Sequence, residues 1–259
     1  RYNFVAPNTG AEMPKKTKHI VLDNLSQLKA LKEPTTTRTY KAIPHHTVYE
    51  KVMDQARTEG YEHLRDTLEV THGGERAFLN MQFATDDPTL PFSVAVRSTY
   101  DRSASLGIAT GASVFICANL MISGSDVTIM RAHKGSVQED LEDMIERAFN
   151  GGKESYKDKI VWRENLMGTQ LTERQGRYLL AMAQIESSLF NRTAYNTAVE
   201  HWIDAPYTEF QGDRSLWGLY NAMTFGCHKV RPSDKMDVHK QLVSFTENIL
   251  VEDNKLVIA

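Results

Sequence analysis

Cysteine is nearly absent: Cys117 and Cys227 are the only two in 259 residues. Two thiols cannot build the disulfide framework of a small secreted domain, so the fold must rest on an apolar core, and a reducing cytoplasm is the expected setting. An excess of charge of either sign is also lacking, with 30 Lys and Arg against 33 Asp and Glu for a net charge of −3. That balance excludes a protein that grips duplex DNA over its whole surface and leaves room for a local basic groove. Long apolar runs are missing as well. The longest, "SVFICANLMI" from Ser113, falls far short of the ~18 to 20 residues a membrane-spanning helix needs, so no membrane segment is expected. The first residues lack the charged, apolar and small-residue zones of a signal peptide, and the chain begins at Arg1 rather than methionine, as a trimmed portion of a longer protein would.

Hallmark catalytic and cofactor motifs are absent too. Gly107 and Gly111 bracket "IAT" and match neither G-x-x-x-x-G-K-[ST] nor G-x-G-x-x-G. They read as a bend or bulge in a strand, and no nucleotide cofactor is expected. Nine histidines raise the prospect of a metal, but no C-x-x-C or H-E-x-x-H occurs. His45 and His46 would point apart in an extended segment, and Cys227, His228 and His239 do not converge, so no metal is expected. Cys117 lies in "VFICANL" between apolar neighbours, the setting of an inert packed thiol. Whether the chain is an enzyme stays open; one using Cys117, His133 or Asp101 would need them to converge in a cleft, and a non-catalytic role is favoured.

What is present is a readable succession of elements. Leu22, Leu25, Leu28 and Leu31 suit a short packing helix inside an N-terminal arm, residues 1–35. "TTTRTYKAI" before Pro44 reads as a strand, and "HTVYEKVMDQARTEGY" as a helix with a Thr47/Glu50 capping box and Gly60 as its stop. "LRDTLEVTH" and "RAFLNMQFA" flank His72-Gly73-Gly74-Glu75 as a hairpin, and Phe92, Val94 and Val96 continue the alternation in the next strand. The stretch from Ser98 to Met121 and "DVTIMRAHK" supply further strands. Ser136 and Glu139 then cap a helix that Asn150-Gly151-Gly152 should stop. This order predicts an α+β core over residues 36–152, an antiparallel sheet with helices packed on one face. A mainly helical region, 153–259, follows, with a Thr172/Gln175 capping box and a buried helix "SLWGLYNAMTFGCHK".

The candidate binding residues cluster around the sheet strands. Lys41, His45 and His46 follow the first predicted strand; Arg97, Thr99, Tyr100 and Arg102 lead into the Ser98–Met121 stretch, and Arg131, His133 and Lys134 leave it. By the two-residue period, Arg97 and Thr99 lie opposite Val94 and Val96, on the face away from the helices. Two readings of that face stand. It is a solvated sheet face, or a groove in which cations hold phosphates and an aromatic ring stacks on bases, worth ~1 to 3 kcal/mol per base. In the late helix Trp217, Tyr220 and Thr224 fall on one stripe, and Asn221 and Thr224 could satisfy each other's hydrogen bonds.

These passages carry a resemblance. "RSTYDRSASLGIATGASVFICANLM", "IMRAHKGS" and "LWGLYNAMTFGCHK" resemble the phage/plasmid-like protein family with a large domain of unknown function, encoded by bacteriophages, prophages and plasmids. The family's N-S-x-D-G-S-like turn corresponds to Ser98 through Ser103, its C-x-N-G-like step to Cys117 through Leu120, and its late W-x-x-x-N-A-x-T helix to Trp217 through Thr224. Arg102 and Leu120 stand where glycine is usual. The resemblance implies a mobile-element origin, and makes Asp101, Asn119, Trp217, Asn221 and Thr224 motif-anchoring residues. The order of helix, antiparallel strands and helix is similar, by architecture alone, to the RecT and Red-beta type of single-strand annealing protein. The expectation is therefore an oligomeric phage or plasmid protein in a bacterial cytoplasm. It would bind single-stranded DNA through Lys41, Arg97, Thr99, Tyr100, Arg102, Arg131, His133 and Lys134, and promote annealing or recombination. The alternative is a host-takeover or anti-defence protein that binds a bacterial protein through its helical region.

Overall fold

The computed structural model describes residues 19–114, 119–121, 128–131, 140–186 and 190–252. The chain runs through β1 (Ile20–Leu22), α1 (Leu25–Lys29), α2 (His45–Thr58), β2 (His63–Thr71), β3 (Arg76–Phe83), β4 (Phe92–Thr99), β5 (Leu106–Val114), β6 (Asn119–Met121) and β7 (Thr128–Arg131). Helices follow: α3 (Leu141–Gly168), α4 (Glu173–Glu186), α5 (Arg192–Ile203), α6 (Leu216–Gly226) and α7 (Lys235–Glu252). The strands form one antiparallel sheet in the order β1-β2-β3-β4-β5-β6, and β7 also pairs with β5. The protein is thus α+β with a helical C-terminal region.

Alternation explains the sheet's first face. Leu79, Met81 and Phe83 of β3 and Phe92, Val94 and Val96 of β4 point the same way and are fully buried against Val48 and Val52 of α2 and Met144, Ile145, Ala148 and Phe149 of α3. At ~25 cal/mol per Å² of apolar surface removed from water, burial of this face stabilises the sheet half.

Three local expectations are corrected. "TTTRTYKAI" is irregular backbone, not a strand: the edge beside β2 is already occupied by β1, through Ile20↔Val70 to Leu22↔Leu68, and β-branched residues form a strand only where a partner is free. Helix α2 starts at His45, before the anticipated Thr47/Glu50 box, and its N-cap Pro44 supplies no side-chain bond. Asn150-Gly151-Gly152 does not stop α3, which continues to Gly168. A Cβ on Gly152 would meet Thr110 Oγ1 at 2.6 Å and Phe92 at 2.8 Å. That glycine permits close helix-to-sheet approach rather than a turn.

Because α3 is continuous, the anticipated boundary near residue 152 falls inside a helix. The N-terminal half of α3 seals the sheet core, while its Leu166 joins a second core built by α4 to α7, including Trp202, Trp217, Tyr220, Met223 and Leu242. Helix α4 opens with the expected capping box: Thr172 N–H donates to Gln175 Oε1 at 2.8 Å, and Gln175 N–H donates to Thr172 Oγ1 at 3.2 Å.

The sheet's second face is covered too. A one-turn helix, Pro232–Asp234, and the start of α7 lie over β2, β3 and β4, where Met236 packs with Phe78, Ala95 and Ala109. Most of the remaining contacts there are polar. Lys235 Nζ donates to Glu69 Oε1 at 2.6 Å with both residues buried, and Arg97 Nη1 donates to Asp237 Oδ2 at 2.7 Å. No helix of the described residues is long and apolar enough to cross a membrane.

Candidate functional site

The groove anticipated on the second face is filled by protein. Arg97 is only 7% exposed and spends its guanidinium on Asp237 and on the Ser233 carbonyl, at 3.3 Å. Thr99 is fully buried, and its Oγ1 donates to Ala104 O at 2.8 Å. The period placed both on the correct side of β4, but no local pattern signals that residues some 140 positions later return to cover it. Asn119 and Arg131 lie in β6 and β7, but their side chains, together with His133, Lys134, Cys117 and the Ser136/Glu139 box, lie outside the described residues.

The turns at one end of the sheet tell a different story. The β2–β3 turn bends through left-handed backbone at His72 (φ 56), Gly73 (φ 68) and Gly74 (φ 96). The β4–β5 turn does so at Arg102 (φ 64). Two non-glycine residues held there store strain of about 1 kcal/mol or more each, a cost that persists only where surrounding contacts enforce it.

Those contacts are specific. Tyr100 N–H donates to Glu75 O at 2.7 Å, tying one turn to the other. Asp101 accepts from Arg76 Nε at 2.6 Å and from Ser103 N–H at 3.0 Å. Burial opposes ionisation of Asp101, but the bonds from Ser103 and Arg76 outweigh it and hold its carboxyl below the usual aspartate range. Tyr40 donates its hydroxyl to Tyr100 O at 2.7 Å, and its ring lies 4.4 Å under the Arg102 guanidinium. Burial raises the Tyr40 hydroxyl above its ordinary pKa, more than Arg102 lowers it.

His45 and Tyr100 lock the inner wall. Their rings stack 3.8 Å apart at 7°, and the Tyr100 hydroxyl accepts the His45 N–H at 2.6 Å, the helix-start bond that Pro44 cannot provide. His45 Nε2 faces the Gly74 carbonyl at 3.0 Å and therefore carries the proton, leaving Nδ1 to accept from Ser98 Oγ at 2.8 Å. Ser98 is fully buried, so this serine–histidine pair is a structural clasp with no access for a substrate.

Between these turns and the 32–41 segment lies a cavity of about 350 Å³, walled by Tyr40, Tyr100, Arg102, His72, Lys32, Glu33 and Glu75. Lys32 and Arg102 line it, Arg38 and Lys41 belong to the same 32–41 segment, and none of the four forms an ion pair among the described residues. Of the sequence-predicted residues, Tyr100 and Arg102 line the cavity, Asp101 lies between them in the turn, and Lys41 lies in the 32–41 segment. Tyr40, Arg76, Lys32 and Glu75 were missed, although the His72-Gly73-Gly74-Glu75 turn signal pointed to the place.

Elsewhere the late-helix residues are core. Trp217, Asn221 and Thr224 are buried; Asn221 Nδ2 donates to Trp217 O at 2.9 Å and Thr224 Oγ1 to Tyr220 O at 3.0 Å. Asn221 and Thr224 each bond a carbonyl one turn back, and the Thr224 hydroxyl also reaches the Asn221 carbonyl at 3.2 Å, so the anticipated pairing is made through the Asn221 main chain. Burial pushes the Cys227 thiol up to about 12, leaving it unreactive. Among the described residues no three His, Cys, Asp or Glu side chains converge to hold a metal. Comparison with family models, curated proteins and solved structures finds no match.

Proposed function

We propose that the chain binds single-stranded DNA without catalysing a reaction, and that the turn-end cleft is where it does so. The observation that carries this reading is a cleft lined by Lys32, Arg102, Tyr40 and Tyr100, with Arg38 and Lys41 on the same 32–41 segment, and none of the four cations is neutralised by an ion pair among the described residues. Cations supply phosphate contacts that are blind to sequence, and aromatic walls supply stacking. Glu33 and Glu75, which also line the cleft, suit the exocyclic amino groups of bases. Annealing by several copies on one strand, and an origin in a phage or plasmid, belong to the same proposal.

Counterion release sets the test. Four phosphate contacts give a slope of about −3 in log affinity against log salt for a single strand. Fluorescence anisotropy with a short oligonucleotide should show that slope, and Lys32→Gln with Arg102→Gln should flatten it by one to two units. No binding at low salt, or an unaltered slope in the double variant, would refute the reading. A second reading, capture of a bacterial protein, is favoured by Tyr178 and Ile185 of α4, which are 52% and 75% exposed. A partner retained from host lysate after nuclease treatment, and lost with Ile185→Asp, would support it.

A further inference from the structure

A second cavity, of about 260 Å³, adjoins the first where the end of β2 meets the links between α6 and α7. His72, the left-handed residue of the β2–β3 turn, lines both. The new cavity's other walls include His19, Thr71, His228, Lys229 and Arg231. Among the described residues no carboxylate lines it, a marked contrast with the mixed charge of the tyrosine cleft.

The acids nearby are already engaged. Glu69 is held by Lys235 at 2.6 Å and reached by His19 Nε2 at 3.4 Å, while Asp234 receives Arg231 Nη2 at 2.7 Å. Lys229 makes no ion pair among the described residues. His72 Nδ1 lies 3.1 Å from Thr71 Oγ1, so its Nε2 is left for a ligand. Imidazole N–H donors, a hydroxyl and the Lys229 ammonium, beside an Arg231 guanidinium that gives Nε and Nη2 to Asp234 and keeps its further N–H groups, match an oxyanion with several acceptor oxygens.

We propose that this cavity binds a phosphate group, carried by a small phosphorylated molecule or by the terminus of a nucleic acid. The assignment stands on its own lining and does not depend on how the tyrosine cleft is used.

The test is calorimetric titration of the full chain with inorganic phosphate and with pyrophosphate. Both should bind, pyrophosphate more tightly. Lys229→Gln with Arg231→Gln should weaken both at least tenfold, whereas Arg102→Gln in the neighbouring cleft should leave them within twofold. Circular dichroism of the double variant checks its fold, and Arg231→Lys, which keeps the charge, should recover most of the affinity. No heat with either anion, or equal affinity in the folded double variant, would overturn the assignment. Comparing a 5′-phosphorylated with a 5′-hydroxyl oligonucleotide, and each with a mononucleotide, separates the two sources: a terminal-phosphate gain lost in the double variant marks a nucleic-acid end. Phosphate binding without oligonucleotide binding would refute only the cleft reading.

Discussion

On the face of the sheet under α2 and α3, β3 and β4 present Leu79, Met81, Phe83, Phe92, Val94 and Val96; on the other face the same strands present Asn80, Gln82, Ser93 and Arg97. All are buried, yet what holds each covering in place differs. An apolar face accepts any complementary apolar cover, because the driving force is area. A polar face needs a cover that answers each group in turn, and a mismatch costs as much as a cavity. The segment from Ser233 to Asp237 does this in part: it answers Glu69 and Arg97, while Asn80 Oδ1 has no partner among the described residues. The second face is therefore closed by specificity, and the exposed chemistry moves to the turns at the sheet's end.

The largest expected effect breaks that specificity. Lys235→Ala leaves the buried Glu69 carboxylate with His19, at 3.4 Å, as its remaining ion-pair partner among the described residues and should cost about 3 kcal/mol, as much as truncating a core side chain. Replacing both partners, Lys235→Met with Glu69→Leu, should restore stability to within about 1 kcal/mol of the parent or raise it. Urea unfolding of the three variants checks this, and equal damage in the single and double variants would mean that the pair is not what holds the cover.

Acid offers a milder way to separate the two coverings. The helical region that supplies the cover contains His201, buried among Tyr207, Phe210 and Phe225, with Nε2 unpartnered among the described residues. Burial lowers its pKa from 6.5 to about 4. The unfolded chain takes up this proton as pH falls through 6.5 and the folded chain resists until about 4, so stability is full above that window and declines by about 3 kcal/mol across it. Glu69 adds a loss only at lower pH. Burial opposes its ionisation, but His19 and Lys235 keep its folded pKa below 4.5, so its contribution is present above that value and fades beneath it. Trp162, Trp202 and Trp217 all belong to the helical half. Their fluorescence in urea titrations at pH 7 and pH 4 should report the decline, and His201→Phe should remove part of it, since burial also lowers the pKa of His228 to about 4 and adds its own share.

How much of this was legible in the sequence follows from range. The hairpin at His72 to Glu75, the alternation in β3 and β4, and the Thr172/Gln175 cap are local signals, and each appears where it was read. Gly152 was misread because a glycine that admits Thr110 and Phe92 looks, in one dimension, like one that ends a helix. The site failed in the same way. Arg97 and Tyr100 were picked from one stretch, but Asp237 buries the first and His45 fixes the second from the far side of the fold. Arg102 stays exposed at the turn end, on backbone with a strained φ of 64.

The contrast between a sealed face and an open end is tested most directly by hydrogen exchange with and without a saturating short oligonucleotide at low salt. Protection should appear at residues 32–45, 72–75 and 100–103, with exchange in β3, β4 and residues 232–240 unchanged. Protection of the second face, or faster exchange in residues 232–240 as the cover is displaced, would contradict the account and return the binding surface to the sheet.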